Sequence, residues 1–211
     1  IEKKIRKNTA LVAIGGGIIQ DITAFVSSIF LRGIEWMFFP TTLLAQADSC
    51  IGSKTSINFS GYKNILGNFY PPSEVFIDPE FLGSLSENDI RSGIGEMLHY
   101  YFVAGSPWAR KIAEEYDRFF ADRKRLQKYI RESLRIKKEV IERDEFDKGE
   151  RNLFNYGHTF GHAIEAISDY AVPHGQAVTL GMDIANYISW QRGMIDQAIF
   201  NDIHGILMKN M

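Results

Sequence analysis

The sequence predicts an α/β unit followed by an all-helical unit, and two patterns along the chain support this fold class. Up to Gly83, short apolar runs alternate with a glycine turn and an amphipathic segment, as in a partial Rossmann-like nucleotide-binding domain. From Leu85 onward, apolar residues recur at helical spacing instead. We therefore predict an α/β domain over residues 1–83 and a helical domain over residues 84–211.

The first predicted elements form half of a βαβ unit. The apolar run at residues 9–14 predicts a strand, Gly15, Gly16 and Gly17 follow, and an apolar-periodic segment predicts a helix up to Phe30. Glycines let the backbone approach a ligand, and a helix N-terminus offers free N–H groups to a phosphate. The turn could equally serve close packing alone, because the complete dinucleotide fingerprint is missing.

A second buried strand is predicted at residues 34–39, and polar candidates follow it. The hydroxyls of Thr41 and Thr42 come just after the strand, where open α/β sheets bind ligands, although a threonine there can also cap a helix. Lys54 and Lys63 lie in a glycine-punctuated polar stretch. They could hold a phosphate or an oxyanion, or be solvated loop lysines. A last short strand is predicted at residues 75–78.

The rest of the chain predicts a series of helices. Ser86 begins a capped helix that runs to residue 103 and places Glu96 and His99 on one face, because they are three residues apart. Further helices are predicted at residues 108–120, 123–143, 152–168, 179–190 and 195–208. The charged residues of the helix at 123–143 most simply form a solvated face, with Lys137 a candidate exception.

Three histidines suggest a metal site. His158 and His162 are four residues apart and share a helix face, and a helix that begins after Pro173 could bring His174 to the same place. A carboxylate from elsewhere could complete three protein ligands and leave an open position. Spacing alone also allows two histidines that only satisfy each other or cap a neighbour.

Composition excludes several classes of protein. With 24 basic and 26 acidic residues, the formal charge of −2 gives no electrostatic footprint for nucleic acid or an acidic membrane. Cys50 is the single cysteine, which excludes an internal disulfide framework and fits a reducing compartment. The sequence has no apolar run of membrane-spanning length and no signal-peptide pattern at its start, so we expect a cytoplasmic protein.

A series of short motifs follows in order along the chain: GGGIIQD at 15–21, LRG at 31–33, PTTLLAQADS at 40–49, GSKT at 52–55, KN at 63–64, GE at 95–96, RNL at 151–153, GHTFGH at 157–162 and HG at 174–175. In this order and spacing, the motifs resemble those of the 3-dehydroquinate synthase family of sugar phosphate cyclases. The resemblance implies a nicotinamide-binding α/β domain, a helical metal and substrate domain, an active site between them and a homodimer. It implies a lyase of the shikimate route that uses NAD and a metal to convert 3-deoxy-D-arabino-heptulosonate 7-phosphate to 3-dehydroquinate and phosphate.

The resemblance also implies roles for individual residues. The metal, zinc or alternatively cobalt, would be bound by Glu96, His158 and His174, and His162 would face the substrate. The dinucleotide would lie near Gly15, Gly16, Gly17, Asp21, Thr41, Thr42 and Lys63. Arg32 would reach the substrate phosphate across the dimer interface, and the rest of the substrate pocket would comprise Asp48, Lys54, Asn64, His99, Lys137, Arg151 and Asn155.

Four positions differ from the family pattern. His99 replaces a lysine, Gln20 and Ser53 replace glycines, and Gln176 replaces a glutamate that could orient a metal-bound histidine. The sequence also lacks the strands and helices that begin the family's nucleotide domain and the helices that end its second domain. We expect the chain as written to bind NAD weakly and to have no measurable cyclase activity alone.

Three alternatives remain open from the sequence. A sister cyclase of the 2-deoxy-scyllo-inosose or valiolone type would act on another sugar phosphate. A metal-dependent alcohol or glycerol dehydrogenase would share the architecture and the glycine turn. A truncated relative could be a non-catalytic binding module, and His99 is the residue that most favours that reading.

Overall fold

The computed structural model describes residues 5–60, 62–105, 107–144 and 149–211, apart from the side chains of residues 63 and 150. Its first part contains β1 (Leu11–Gly15), α1 (Gly17–Ile29), β2 (Trp36–Pro40), β3 (Lys54–Phe59), β4 (Tyr62–Phe69) and β5 (Glu74–Val75). Strands β1, β2 and β5 form a parallel sheet in the order β1–β2–β5. The predicted strand, glycine turn, helix and second strand are therefore confirmed.

The sheet is built on alternate side chains of β2. Trp36 and Phe38 are buried and pack with Ala13 of β1 and Ala24 of α1. Because side chains alternate across a strand, one face of β2 is directed toward α1. The carboxyl ends of β1 and β2 lie side by side, since Gly15 is in register with Pro40. The glycine turn and the two threonines thus meet at one edge of the sheet.

The glycine-punctuated polar stretch that contains Lys54, for which no strand was predicted, is part of a hairpin. Strands β3 and β4 pair in antiparallel fashion, with Thr55 opposite Asn68 and Ser56 opposite Gly67. Gly67 allows this close approach, because a Cβ there would lie 2.0 Å from the main-chain oxygen of Thr55. The consecutive polar residues Lys54, Thr55 and Ser56 break the alternation of apolar and polar residues that would have predicted the strand.

The second part consists of helices. They are α2 (Glu87–Val103), α3 (Trp108–Glu115), α4 (Arg118–Ala121), α5 (Gln127–Arg143), α6 (His158–Ile167), α7 (His174–Gln191) and α8 (Gln197–Leu207). Short 3-10 segments at Pro79–Ser84 and Glu150–Asn155 precede α2 and α6. Within the described residues, no helix is long and apolar enough to span a membrane.

Several predicted helix boundaries were wrong. The segment predicted as one helix at 152–168 breaks at Gly157, whose φ of +81° is left-handed and favours glycine. The helix predicted at 108–120 divides into α3 and α4. Helix α7 begins at His174, directly after Pro173, which confirms the start suggested by the histidine pattern and corrects the later start at residue 179 suggested by periodicity.

Helix α2 is the centre of the larger core. Ile90, Ile94, Met97 and Leu98 are fully buried on successive turns, so this helix is surrounded by protein. Leu43, from the segment after β2, belongs to the same cluster. Leu43 thus packs the segment after β2 against α2, and this contact positions the candidate site.

Candidate active site

Glycines at helix crossings bring the predicted metal ligands together. A Cβ at Gly95 of α2 would lie 2.0 Å from the main-chain oxygen of Gly175 in α7, and a Cβ at Gly181 would lie 2.0 Å from that of Gly157. Only glycine permits such backbone contact. Gly95 directly precedes Glu96, and Gly175 directly follows His174. Gly157 directly precedes His158. The sequence pairs Gly95-Glu96, Gly157-His158 and His174-Gly175 therefore combine close packing with a donor side chain.

The donor atoms of these three residues converge. Oε1 of Glu96 lies 2.9 Å from Nε2 of His174 and 3.4 Å from Nε2 of His158. Glu96 is only 3% exposed. The other ring nitrogen of His158, Nδ1, lies 3.4 Å from the main-chain oxygen of Tyr156, which leaves Nε2 directed at the carboxylate. One carboxylate oxygen and two imidazole nitrogens suit a divalent cation such as zinc.

The charges at this position also favour a cation. Burial alone would raise the pKa of Glu96, yet contacts with His158 and His174 hold that pKa well below its usual value. Burial would lower the pKa of His174, but Glu96 and Glu165 raise it to about 9. His174 is therefore protonated at neutral pH beside an ionised carboxylate. A metal would displace that proton, because histidine binds metals in its neutral form.

His162 lies beside the same position. The ligand nitrogens of His158, His162 and His174 are all within 4.8 Å of one another. The His162 ring is exposed, and its centroid is 5.7 Å from that of His174. The structure thus brings together all three histidines of the sequence pattern, and the role of His162 toward a substrate remains a prediction.

His99 is buried behind the metal ligands. It is 1% exposed, its ring lies 5.0 Å from that of His158, and its Nδ1 is 3.8 Å from Oε2 of Glu96. The ring of Phe154 packs against it edge-on. Burial lowers the pKa of His99 to about 4, so the imidazole is neutral at neutral pH. The family's lysine position therefore supplies no positive charge in this protein.

Asp48 and Lys137 form a partly buried ion pair. Nζ of Lys137 donates to the carboxylate and to the main-chain oxygen of Asp48, both at 2.7 Å. The hydroxyl of Tyr100 also donates to this carboxylate. Lys137 is 6% exposed, so it does not belong to the solvated face of α5. Its ammonium group, predicted to contact substrate, is engaged by Asp48.

Gln20 ties α1 to the segment that carries Asp48. Its side-chain nitrogen donates to the main-chain oxygen of Ser49 at 2.5 Å, and the hydroxyl of Ser49 donates back at 2.6 Å. Ser49 ends a π-helical turn, Ala45–Ser49, a distortion that often marks functional sites. The glutamine that replaces a family glycine thus links the nucleotide-side helix to the Asp48 turn.

The other predicted substrate residues occupy two places. Arg151 and Asn155 lie on the 3-10 segment before α6, and a Cβ at Gly52 would lie 3.9 Å from a guanidinium nitrogen of Arg151. Lys54 and Asn64 are exposed on the β3–β4 hairpin. Asn64 has a left-handed φ of +56°, and its backbone N–H donates to the side chain of Asn58 at 3.0 Å.

The predicted dinucleotide residues cluster at the sheet edge. The N–H of Thr41 donates to the main-chain oxygen of Gly15, and the hydroxyl of Thr42 accepts from Ala45, so Thr42 acts as a helix cap. A Cβ at Gly16 would lie 2.9 Å from Thr42, whereas no described atom lies within 4 Å of a Cβ at Gly17. This end of α1 is thus open to a ligand. The side chain of Lys63, also predicted here, lies outside the described residues.

Asp21 follows on α1 and lines a small cavity with Asn58 and Asn64 of the hairpin. Burial raises its pKa from an ordinary 3.8 to about 6. The folded protein therefore keeps this proton at a higher pH than the unfolded chain does. Because the unfolded state then binds fewer protons, the free energy of unfolding falls as the pH rises through this interval.

We expect Asp21→Asn to remove this pH dependence. Between about pH 4 and pH 7, the wild type should lose stability relative to the variant, because only the wild type must ionise a partly desolvated carboxyl. Urea unfolding of both proteins at several pH values measures the difference. Parallel curves for the two proteins would contradict the assignment.

One residue of the site escaped the sequence analysis. Glu165 is buried on α6, and its Oε2 lies 3.1 Å from Nδ1 of His174. Its position, seven residues after His158 and three after His162, was the available signal, because these spacings share a helix face. A carboxylate therefore does face this histidine, from Glu165, although Gln176 replaces the family's glutamate.

Fold and site together define a class of protein. An α/β part with an open glycine turn is joined to a helical part in which a glutamate and two histidines converge as candidate metal ligands. Residues 1–92 match the model of the 3-dehydroquinate synthase N-terminal domain, and residues 93–211 match that of its C-terminal domain. The chain belongs to the 3-dehydroquinate synthase family.

Relatives with known names agree with this membership. The chain is 41% identical over 204 residues to a 3-dehydroquinate synthase of Dictyoglomus turgidum, covering 96% of this chain and 58% of the relative. It is 39% identical to that of Alkaliphilus metalliredigens, covering 99% of this chain and 59% of the relative. The chain thus spans less than two thirds of the length of these relatives.

Solved structures of sister cyclases share the fold. A 2-epi-5-epi-valiolone synthase from Streptomyces hygroscopicus with NAD+ and Zn2+ bound superposes with a TM-score of 0.87 at 25% identity, covering 99% of this chain and 59% of that one. A 2-deoxy-scyllo-inosose synthase in complex with carbaglucose-6-phosphate, NAD+ and Co2+ gives 0.86 at 26% identity, covering 99% and 57%.

Proposed function

We propose that this chain serves the 3-dehydroquinate synthase reaction, in which 3-deoxy-D-arabino-heptulosonate 7-phosphate is converted to 3-dehydroquinate and phosphate. The enzyme would be a phosphorus–oxygen lyase of the shikimate route, dependent on NAD and zinc or cobalt and acting in the cytoplasm. The observation that carries this proposal is the convergence of Glu96, His158 and His174 in a member of this family. The NAD+ and metal ions in the two sister cyclases support the cofactors.

The metal ligands would work at the hydroxyl that is oxidised. A bound zinc ion would polarise that hydroxyl, and NAD would accept and later return the hydride. In the proposed reaction, oxidation at C5 would acidify the neighbouring C6 proton, and phosphate would then leave. The ketone would be reduced again before the ring opened and reclosed. NAD is thereby regenerated, so the sum is one substrate giving one carbocycle and one phosphate.

The protein's own task is mainly to hold the substrate in place. Arg151 suits the substrate carboxylate, because its planar fork can bind both oxygens. Lys137 would act beside Arg151 and would at the same time hold the carboxylate of Asp48 in place. Contacts to the phosphate and the ring hydroxyls are assigned to Lys54, Asn64, Asn155 and His162. Because His99 is neutral, the negative charges of the substrate would be bound by these other groups.

We include a homodimer in the proposal because the side chain of Arg32 is exposed, where a second subunit would reach it. Leu31, Arg32 and Gly33 have φ values of +48°, +64° and +107°, a strained turn for the two non-glycine residues. Two large apolar side chains of α1 are exposed: Ile29, at the end of the helix beside this turn, and Ile22, two helical turns earlier. These features support a role for Arg32 at the phosphate of a second subunit.

Three competing functions are less well supported. A valiolone-type cyclase would use a sugar phosphate without a carboxylate, so the substrate would lack the group that Arg151 is proposed to bind. A simple alcohol dehydrogenase would not need the block from Arg151 to His162. A non-catalytic relative is favoured only by His99.

The test is calorimetric titration of zinc-loaded protein, with saturating NAD, using three ligands: the seven-carbon keto acid phosphate, sedoheptulose phosphate and glucose 6-phosphate. We expect the keto acid phosphate to bind best and only with metal present. Phosphate release is then assayed in the same mixture. Preference for glucose 6-phosphate would favour the 2-deoxy-scyllo-inosose type, and metal binding with no sugar phosphate bound would favour the non-catalytic alternative.

We expect Glu96→Gln to abolish metal binding and all metal-dependent substrate binding. The amide keeps the size of the side chain but loses the charge that holds the cation beside His158 and His174. Glu139→Gln, on the exposed surface of α5, is the matched control and should bind zinc like the wild type. Retained zinc affinity in Glu96→Gln would contradict the ligand assignment.

A further inference from the structure

Glu165 is a buried carboxylate next to a metal-site histidine. It is 5% exposed, and its Oε2 lies 3.1 Å from Nδ1 of His174. A charged side chain is rarely buried without a partner, because desolvation is costly. Its burial therefore points to a specific function at this histidine.

The two nitrogens of His174 face two different carboxylates. Nδ1 is directed at Glu165, and Nε2 lies 2.9 Å from Oε1 of Glu96. If Nδ1 keeps its proton and donates a hydrogen bond to Glu165, then Nε2 presents its lone pair to the position between Glu96 and His158. The contact with Glu165 would thus select the tautomer that binds a metal.

Rigid elements hold both partners of this contact. The main-chain oxygen of Glu165 accepts from the N–H of Tyr170 at 2.8 Å and from the hydroxyl of Ser168 at 3.2 Å, which fixes the end of α6. The start of α7 is fixed as well, since the N–H of Gly175 donates to the hydroxyl of Ser92 at 3.1 Å. The ring of His174 is therefore held between two fixed backbones.

We infer that Glu165 is a positioning residue that orients His174, fixes its tautomer and raises the affinity of the site for a divalent metal. This inference rests on the proposed metal site of Glu96, His158 and His174. Carboxylates that contact metal-bound histidines typically change metal affinity about 10- to 100-fold when they are replaced. The neutral Gln176, in the family's glutamate position, supplies no such charge.

The experiment compares zinc affinity of the wild type, Glu165→Gln and Glu142→Gln by competition with a chromogenic chelator, without substrate or NAD. Glu142 is an exposed glutamate of α5 and serves as the matched control. We expect Glu165→Gln to bind zinc about 10- to 100-fold more weakly and Glu142→Gln to match the wild type. Unaltered affinity in Glu165→Gln would overturn the inference.

A second readout separates positioning from general stability. In zinc-loaded, 15N-histidine-labelled protein, NMR should show His174 with its proton on Nδ1, and this signal should be lost or mixed in Glu165→Gln. If that variant does not fold, Glu165→Asp keeps the charge at a longer distance and should show intermediate affinity. An unchanged His174 tautomer together with unchanged affinity would refute the role.

The failure of this inference can be distinguished from failure of the proposed function. If the wild type binds no zinc, the proposed metal site is wrong and the inference falls with it. If the wild type and Glu165→Gln bind zinc equally, only the role of Glu165 is wrong. Turnover is not needed for either outcome.

Discussion

Replacing Gly175 with alanine is expected to lower the free energy of unfolding by about 3 kcal/mol or more. The new Cβ would lie 1.7 Å from the main-chain oxygen and 2.6 Å from the carbonyl carbon of Ser92. Both are backbone atoms, so no side-chain rotation can relieve the overlap and helices α2 and α7 must move apart. That movement would also break the hydrogen bond from Gly175 to Ser92 and separate His174 from Glu96.

Urea unfolding and zinc titration measure the two consequences of Gly175→Ala. The matched control is Gly205→Ala in α8, where no described atom lies within 4 Å of the added Cβ. Alanine is the better helix former, so this control should gain up to about 1 kcal/mol. A Gly175→Ala variant as stable as the wild type would show that the α2–α7 crossing is looser than described here.

The features of the fold that were predictable from sequence are those with local signals. The strand at residues 9–14, the glycine turn and α1 were predicted because their signals are local: an apolar run, three glycines and a helical period. The break at Gly157 was missed because a left-handed φ leaves no mark in hydrophobic periodicity. The hairpin was missed because its strands carry few alternating apolar residues.

The metal site was only partly predictable for a related reason. His158 and His162 could be paired by spacing, since both lie on α6. Glu96 is far from them in sequence and meets them only because α7 crosses both α2 and the start of α6, so it was assigned by resemblance alone. Glu165 lies three residues after His162 on the same helix, but spacing does not reveal which neighbour a buried carboxylate faces.

The ion pair between Asp48 and Lys137 could not be predicted either, because its partners are 89 residues apart. Sequence reasoning set Lys137 apart from the solvated face but assigned it only to substrate. The structure gives it a second, structural task. It joins α5 to the π-helical turn after β2 and so connects the two parts of the chain at the candidate site.

This second task gives the other prediction of large effect, for Lys137→Met. Methionine fills a similar volume but leaves the carboxylate of Asp48 without its cation. Removing one partner of a buried pair typically costs about 3–5 kcal/mol, and we expect the lower end because the side chain of Asp48 is 19% exposed. Urea unfolding gives the measurement.

Two further variants make the Lys137 result interpretable. Lys138→Met removes the neighbouring lysine, whose side chain is 69% exposed and 3.6 Å from Glu142, and should change stability by less than about 1 kcal/mol. Combining Lys137→Met with Asp48→Asn should recover part of the loss, because no charge is then left unpaired. If Lys137 served only the substrate, Lys137→Met would unfold like Lys138→Met, and the structural role of the ion pair would be wrong.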